Sequence, residues 1–388
     1  MTTRAYLDHA ATTPMVPEAV AAMTRELTRT GNPSSLHDSG RAARRVVEEA
    51  REAIAAAVGA QPVEVIFTSG GTESDNLAVK GVTWSGVRRG RTGVVISAVE
   101  HHAVLDPVDW LGGAGAAEVT LVDVDRAGRV DLDQLAAAVT AETALVSVMW
   151  ANNEVGTVQP VAKIARIAAE RGALSHSDAV QAVGHLPVDF GTSGLDLMTF
   201  TAHKLGGPYG VGALLAGREV ALTAVLHGGG QEREVRSGTL DVPAIAGFAA
   251  AVEVAVRDRK TEEDRLRALR ADLVAGVLTL VPDAVVHGTL DPEESLPGLV
   301  NVGFPGGPAD AILMLLDAAG VDCSTGSACS AGLAQPSHVL RAMGYDDAEA
   351  RSSLRFALGR TSTAADVAAL LAALPDAVAR ARAASRFA

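Results

Sequence analysis

One lysine stands at a corner of the chain where charged side chains are uncommon. Lys204 lies in "TAHKLGGPYG", between the runs "DLMTF" and "VGALLA", whose apolar residues predict two buried strands. Many lysines in such places pack their stem on the core and keep the amine in water. A partly buried amine would instead have a lowered pKa and could form a Schiff base with an aldehyde.

Two further polar groups follow predicted strands. Asp178 closes the strand-like run "ALSHSD", where an aspartate commonly caps the next helix, and Gln181 follows about one helical turn later. In "FTSGGTESDN" a strand runs into Gly71 and Thr72 before a helix, which favours an anion site of backbone amides at the helix N-terminus. A plain capped turn would fit the same residues. The stretch has neither G-x-G-x-x-G nor a P-loop, so a nicotinamide or ATP site is poorly supported.

These groups together predict pyridoxal 5'-phosphate as the cofactor. A strand-end lysine would bind its aldehyde, a strand-end aspartate would keep its pyridine nitrogen protonated, and the glycine-rich turn would hold its phosphate. Ligands of open α/β sheets bind outside the carboxyl ends of the strands. Lys204, Asp178 and Thr72 are all predicted to lie there.

A pair of histidines follows another predicted strand, in "SAVEHHAV". Neighbours on an extended chain face opposite sides, so at most one of His101 and His102 should enter a site. We expect His101 to stack on the cofactor ring and to carry protons, although a structural histidine would fit the pattern too. No H-E-x-x-H motif or second cysteine pair is present, so no metal site is expected.

The chain has two cysteines in different surroundings. Cys329 lies among Ser, Gly and Ala in "CSTGSACSAGLAQP", which is typical of an exposed loop and favours a reactive thiol. Cys323 follows "AAGVD" and fits a strand end or a core position. Two cysteines are too few for a disulfide framework, which favours a reducing, cytoplasmic location.

Composition argues against two other functional classes. The 388 residues carry a formal net charge of −13, which argues against direct nucleic-acid binding. The start of the chain has no apolar signal region, and the most apolar helical stretch contains Glu253 and is too short to span a membrane. Apolar residues make up 48% but aromatic ones only 3%, so the core must be built mainly from Ala, Val and Leu.

Helical patterns alternate with short β-branched runs over most of the length. This rhythm predicts an α/β fold with a parallel or mixed sheet covered on both faces. Beyond a long helical region at 244–281 the pattern becomes that of a smaller α+β lobe. We therefore expect a large cofactor-binding domain over 15–260 and a small domain made of 1–14 and 261–388, with the cysteine loop at about 321–336.

A set of short motifs, in family order over nearly the whole chain, resembles the cysteine desulfurases of the NifS and IscS type. These are class V aminotransferases among the fold-type I pyridoxal-phosphate enzymes, and the resemblance implies a mostly parallel, seven-stranded sheet. The small residues from Cys329 to Pro336 are similar to the branch with a mobile-loop cysteine. The matching stretches are "YLDHAATTP", "GNPSSLH", "FTSGGTESDNLA", "EHHAVLD", "WANNEVG", "HSDAVQAVG", "TAHKLGGPYGVGAL", "HGGGQEREVRSGT", "STGSACSAG" and "SLRFALGR".

The resemblance implies removal of sulfur from L-cysteine, which leaves L-alanine and a persulfide on Cys329. A sulfur acceptor and a homodimer are implied as well, with Thr239 reaching the phosphate in the other subunit. Arg355 would bind the substrate carboxylate, and Lys204 would be the Schiff-base lysine. The implied catalytic residues are Lys204, Cys329 and His101; the cofactor contacts are Gly71, Thr72, His101, Asn153, Asp178, Gln181, Thr201, His203, Lys204 and Thr239; the substrate contacts are Arg355, Asn153 and Asn32.

Several alternatives stay open. A selenocysteine lyase, another pyridoxal-phosphate lyase or an aminotransferase would share the cofactor site, whereas a sulfur carrier or scaffold would need Cys329 without Lys204. The acceptor could belong to iron–sulfur assembly or to tRNA or DNA thiolation. Only 28 residues follow Arg360, a short form that resembles those of actinobacteria, so scaffold docking through a longer tail is not expected. Gly71 and Ala202 stand where relatives often have Ala and Gly.

Overall fold

A computed structural model describes residues 4–326 and 336–385, with helices packed around a central sheet. The strands are β1 Ala5–Tyr6, β2 Val65–Thr68, β3 Gly93–Ser97, β4 Glu118–Val122, β5 Thr143–Ser147, β6 Leu174–Asp178, β7 Leu197–Thr201, β8 Gly212–Ala216, β9 Val285–His287, β10 Leu299–Gly303, β11 Val321–Asp322 and β12 Ser353–Ala357. The helices are α1 Pro17–Leu27, α2 Asp38–Ala57, α3 Gly71–Val87, α4 His102–Gly113, α5 Leu132–Ala138, α6 Val161–Glu170, α7 Phe190–Ser193, α8 Val242–Leu280, α9 Ala309–Ala318, α10 His338–Ala342, α11 Asp347–Arg351 and α12 Ala364–Ser385.

The central sheet has seven strands in the order β2-β8-β7-β6-β5-β3-β4. Strand β8 runs antiparallel to both of its neighbours, and the remaining neighbours pair in parallel. This confirms the predicted α/β fold with a mostly parallel seven-stranded sheet. Because β2, β3, β5, β6 and β7 point the same way, their carboxyl ends meet at one edge of the sheet, where α/β folds bind ligands.

Most strands of the sheet are buried on both faces, although the edge strand β4 is largely exposed, and buried strands such as β2 and β8 read as apolar runs. Neighbouring residues on a strand face opposite sides, so Ile66 and Phe67 on β2 enter different cores. Phe67 joins Met198 and Phe200 on one face, while Ile66 packs with Leu214 on the other. The rest of both cores is largely Ala, Val and Leu, as the low aromatic content requires.

Apart from the two cores of the central sheet, a further core lies around a smaller antiparallel sheet of order β12-β10-β9. It contains residues from β1, α9 and α12, and also Leu7 from the start of the chain. Helix α8 is 39 residues long. It contributes Phe248 to the core that contains Phe67, and Leu273 to the core of the smaller sheet. The division of the chain at residues 14/15 and 260/261 stays a prediction.

None of the helices within 4–326 and 336–385 is both long enough and apolar enough to cross a membrane.

Gly212 on β8 supports the turn that follows β2, and its lack of a side chain is essential there. A Cβ added at Gly212 would lie 2.8 Å from the Cα of Gly70. We predict that Gly212→Ala lowers the free energy of unfolding by about 1–3 kcal/mol, because backbone must move to make room. Urea unfolding measures the change. Gly217→Ala is the control, because its new Cβ would meet atoms only at 3.5 Å and beyond. Equal stability of the two variants would contradict the prediction.

Candidate active site

A cavity of about 370 Å³ lies at the carboxyl edge of the central sheet. Most of the site residues predicted from the sequence line it together. Thr239 and Asn32 do not; both are exposed, and the Asn32 side chain accepts a hydrogen bond from the backbone of Ser34 at 2.9 Å. Cys329 lies outside the described residues. The predicted residues that line the cavity are Gly71, Thr72, His101, Asn153, Asp178, Gln181, Thr201, His203, Lys204 and Arg355.

Lys204 ends a short 3₁₀ turn, Ala202–Lys204, that follows β7 directly. The turn carries the chain over the sheet edge and brings the lysine side chain into the cavity. Its Nζ donates hydrogen bonds to the carbonyl oxygens of Ala10 and Ala11, each at 2.6 Å. The amine of Lys204 therefore lies in the cavity and not at the surface.

Asp178 ends β6, and its carboxylate is buried beside the same cavity. Oδ1 accepts a hydrogen bond from the backbone amide of Val180 at 2.9 Å, a local turn contact. The next helix along the chain begins only at Phe190, so Asp178 does not cap a helix as its position suggested. Burial raises the pKa of Asp178 to about 6, and the Val180 amide and the charge of Lys204 oppose that shift. Next to it, Gln181 donates to the carbonyl of Ala10 at 2.9 Å.

His101 precedes α4 and caps it, whereas His102 points away from the cavity. The Nδ1 of His101 accepts a hydrogen bond from the amide of Ala103 at 3.1 Å, which puts the proton of a neutral ring on Nε2. Burial, followed by the charge of Lys204, lowers the pKa of His101 to about 4, so the ring is neutral near pH 7. His102 is exposed and bonds Asp106 through Nδ1 at 2.9 Å.

The turn between β2 and α3 presents the start of a helix to the cavity. Gly70 precedes α3 with φ +153, a conformation that glycine adopts readily, and no side chain caps the helix. Gly71 and Thr72 in the first turn line the cavity. A Cβ at Gly71 would lie 3.1 Å from Val180 Cγ2, so a larger residue would crowd this wall. The exposed amides and the helix dipole favour an anion here.

Sequence reasoning missed two buried acids near Asp178. Asp75 on α3 lines the cavity, and Glu100 precedes His101; both are fully buried. Burial raises the pKa of Glu100 to about 8, and burial together with the charge of Asp178 raises that of Asp75. Within the described residues, Asp75 Oδ1 and Glu100 Oε2 have no hydrogen-bond partner. The available signal for Asp75 was its position directly before the mostly apolar helical run "NLAVKGV".

Arg355 on β12 places a cation at another wall of the cavity. Its Nη1 donates to the carbonyl of Asn153 at 2.9 Å, and its Nη2 donates to Asp8 Oδ1 at 2.7 Å. Asp8 also lines the cavity and was not predicted as a site residue. The cavity therefore has an arginine and a lysine, and it can bind a ligand that carries a carboxylate.

Cys323, the second cysteine of the sequence, is mostly buried beside this wall. Burial, with help from the charges of Asp8 and Asp322, raises the pKa of its thiol to about 12. A thiol with that pKa stays protonated near pH 7 and is a poor nucleophile. In the part of the chain that the structure describes, no cluster of three or more His, Cys, Asp or Glu could hold a metal ion.

The sequence and the fold are similar to those of several known proteins. The family model described as "Aminotransferase class-V" matches residues 5–370. An "IscS-like cysteine desulfurase" of Mycobacterium tuberculosis is 56% identical, with 97% of each chain covered. A solved "NifS-like protein" has a TM-score of 0.91 at 36% identity and covers 97% of this chain and 100% of its own. A structure described as "SspA in complex with cysteine" has a TM-score of 0.79 at 31% identity, with 92% and 99% covered.

The buried charge of Asp178 predicts a pH-dependent stability of the cofactor-free protein. The folded pKa of about 6 lies above the ordinary 3.8, so the fold favours the protonated carboxyl and loses stability as the pH rises through this window. Asn has no charge to bury and keeps the acceptor for Val180. We expect cofactor-free Asp178→Asn to be more stable than wild type at pH 7.5, by on the order of 1–3 kcal/mol, and equal to it below about pH 4.

Denaturant unfolding at the two pH values measures this difference. Asp376→Asn is the control, because Asp376 is an exposed carboxylate that pairs with Arg380 on one helix and should change little. A cofactor-free Asp178→Asn protein that is less stable than wild type at pH 7.5 would contradict the claim that the buried charge of Asp178 destabilises the fold.

Proposed function

We propose the function of this chain from its family, since the chain belongs to the aminotransferase class-V family and its relatives over nearly the full length are cysteine desulfurases. It removes sulfur from L-cysteine with pyridoxal 5'-phosphate as cofactor, releases L-alanine and leaves a persulfide on Cys329. The observation that carries the proposal is the convergence of Lys204, Asp178, His101 and Arg355 on one cavity.

The residues of the cavity fit pyridoxal 5'-phosphate in three ways. The uncapped start of α3, at Gly71 and Thr72, suits the phosphate. The carboxylate of Asp178, with Asp75 beside it, suits a protonated pyridine nitrogen, since a cation would offset the cost of the buried charge. Lys204 supplies the amine that binds the aldehyde.

Each side chain then has a distinct task. When bound, the cofactor supplies an electron sink for the charge left on the substrate Cα. Lys204 Nζ takes the proton from that carbon. His101 is neutral near pH 7 and carries a proton on Nε2, so it can exchange a proton. Its ring would stack on that of the cofactor. Arg355 holds the substrate carboxylate, with Asn153 beside it.

The sulfur step needs a thiolate. The Cys329 sulfur attacks the sulfur of the substrate and the carbon–sulfur bond breaks, so cysteine and a thiol become alanine and a persulfide. Cys323 is unsuited to this role because its thiol is buried and has a pKa of about 12. Cys329 follows Gly326 by three residues, and Gly326 lines the cavity.

The finer assignments belong to the same proposal. Thr201 and His203, which line the cavity, would help to hold the phosphate, and Gln181 would contact the ring hydroxyl. Thr239 is exposed and away from the cavity of its own chain, which fits a residue that completes the phosphate site of a partner in a homodimer. Asn32 is exposed too, and its contact with the substrate is proposed from the family resemblance alone. The persulfide passes to an acceptor protein in the cytoplasm, where thiols stay reduced.

Lys204 can be tested through the colour of the protein. We predict that Lys204→Ala, purified as expressed, has at least about tenfold less visible cofactor absorbance than the wild type, because no amine remains to bind the aldehyde. The spectrum of the purified protein is the measurement. Lys80→Ala is the control, because Lys80 on α3 lies over the ring of Trp110 and does not line the cavity. Full colour in Lys204→Ala would discard the assignment.

Cys329 separates a desulfurase from its rivals. We predict that Cys329→Ser keeps the cofactor absorbance but produces alanine from cysteine at least about a hundredfold more slowly, because a hydroxyl cannot take the sulfur. Alanine release and mass spectrometry of a protein persulfide are the measurements. Cys323→Ser is the matched control and should form the persulfide. Normal turnover in Cys329→Ser would leave an aminotransferase or another lyase as the better reading.

A further inference from the structure

Backbone hydrogen bonds hold the strand that carries Arg355, both at Arg355 itself and at Ala357. Arg355 exchanges both backbone hydrogen bonds with Ser324, at 2.6 and 3.2 Å. Two residues further along β12, the amide of Ala357 donates to the carbonyl of Leu7 at 2.7 Å, and the carbonyl of Ala357 accepts from the amide of His9 at 3.1 Å. These last two bonds flank Asp8 and fix it beside the strand that carries Arg355.

The guanidinium is already engaged by groups of the chain itself. Its Nη1 donates to Asn153 O, and its Nη2 donates to Asp8 Oδ1 at 2.7 Å, a short ion pair. The Nε–H is buried and has no partner among the described residues. A carboxylate from solution therefore meets an arginine whose Nη2 is occupied by another carboxylate.

We propose that Asp8 is a specificity-determining residue that competes with the substrate carboxylate for Arg355. The inference rests on the proposed function, in which Arg355 binds the carboxylate of cysteine. A bidentate contact needs two donors of the guanidinium on one carboxylate, and Asp8 occupies one of the two terminal nitrogens. The substrate must displace Asp8 or share the nitrogen with it.

The surroundings of the pair allow this exchange. The Arg355 side chain is 5% exposed but that of Asp8 is 22% exposed, and both line the cavity. Asp8 can thus turn towards solvent while the arginine stays in place. Two ligands that compete for one group weaken each other by the same factor. Asp8 therefore weakens the binding of any amino acid that uses Arg355, and it leaves the binding of an amine without a carboxylate unchanged.

The test compares two amines on the holoenzyme, L-alanine and ethylamine, which differ only by the carboxylate. Their dissociation constants come from titration of the cofactor absorbance. In Asp8→Asn, which keeps an acceptor oxygen for Arg355 but not the charge, we expect L-alanine to bind at least about fivefold more tightly, the lower end of typical coupling factors. Ethylamine should bind within about twofold of wild type. The KM for cysteine should fall, with kcat little changed.

Asp322→Asn is the matched control, because Asp322 is a nearby carboxylate that pairs with Arg4 instead and does not line the cavity. L-alanine that binds Asp8→Asn no better than wild type would overturn the proposal, as would equal tightening of both amines or the same gain in Asp322→Asn. If Asp8→Asn does not fold, Asp8→Ser is judged by the same criteria. A wild-type protein without bound cofactor would contradict the proposed function instead.

Discussion

The buried negative charge of Asp178 is the constraint on which the rest of the site depends. Its position at the end of β6 follows from the parallel sheet, and its burial raises its pKa to about 6. The charge of Asp178 in turn helps to raise the pKa values of two more buried carboxyls, Asp75 and Glu100. The charge of Lys204 opposes the effect of burial on Asp178 only in part. A protonated ring nitrogen would balance the charge, so the instability of the empty site and its affinity for the proposed cofactor have one origin.

The site joins groups from the two larger sheets. The carboxyl edge of the central sheet supplies Asp178, Lys204 and the start of α3, and β12 of the smaller, antiparallel sheet supplies Arg355. The beginning of the chain connects them, since Ala10 and Ala11 accept the hydrogen bonds of Lys204 while Asp8 pairs with Arg355. One short segment, 8–11, thereby contacts both Lys204 and Arg355.

Local sequence patterns predicted much of this structure. The apolar run before Lys204 and the strand-like run "ALSHSD" that ends at Asp178 are strands, and the glycine-rich turn leads into a helix as expected. These features were readable because the strand period and turn residues act over a few positions. The chain order of strands is not their order in the sheet, yet their shared direction sufficed to bring the strand ends together.

The features that sequence reasoning missed depend on distant parts of the chain. Asp8 meets Arg355 across 347 positions, so neither residue signals the other locally. Asp75 and Glu100 are acidic residues of a kind usually found at the surface, and only the packed sheet makes them buried. Thr239 and Asn32, the two predicted residues away from the cavity, were assigned from a family resemblance. The role proposed for Thr239 requires a contact with a partner subunit.

The most direct measurement is reduction of the purified holoenzyme with borohydride, followed by mass spectrometry of its peptides. Reduction fixes a cofactor to the amine that holds it. The pyridoxyl mass should appear on the peptide that contains Lys204 and on no other lysine peptide. The same mass on a different lysine, or on none, would contradict a cofactor held between Lys204 and Asp178.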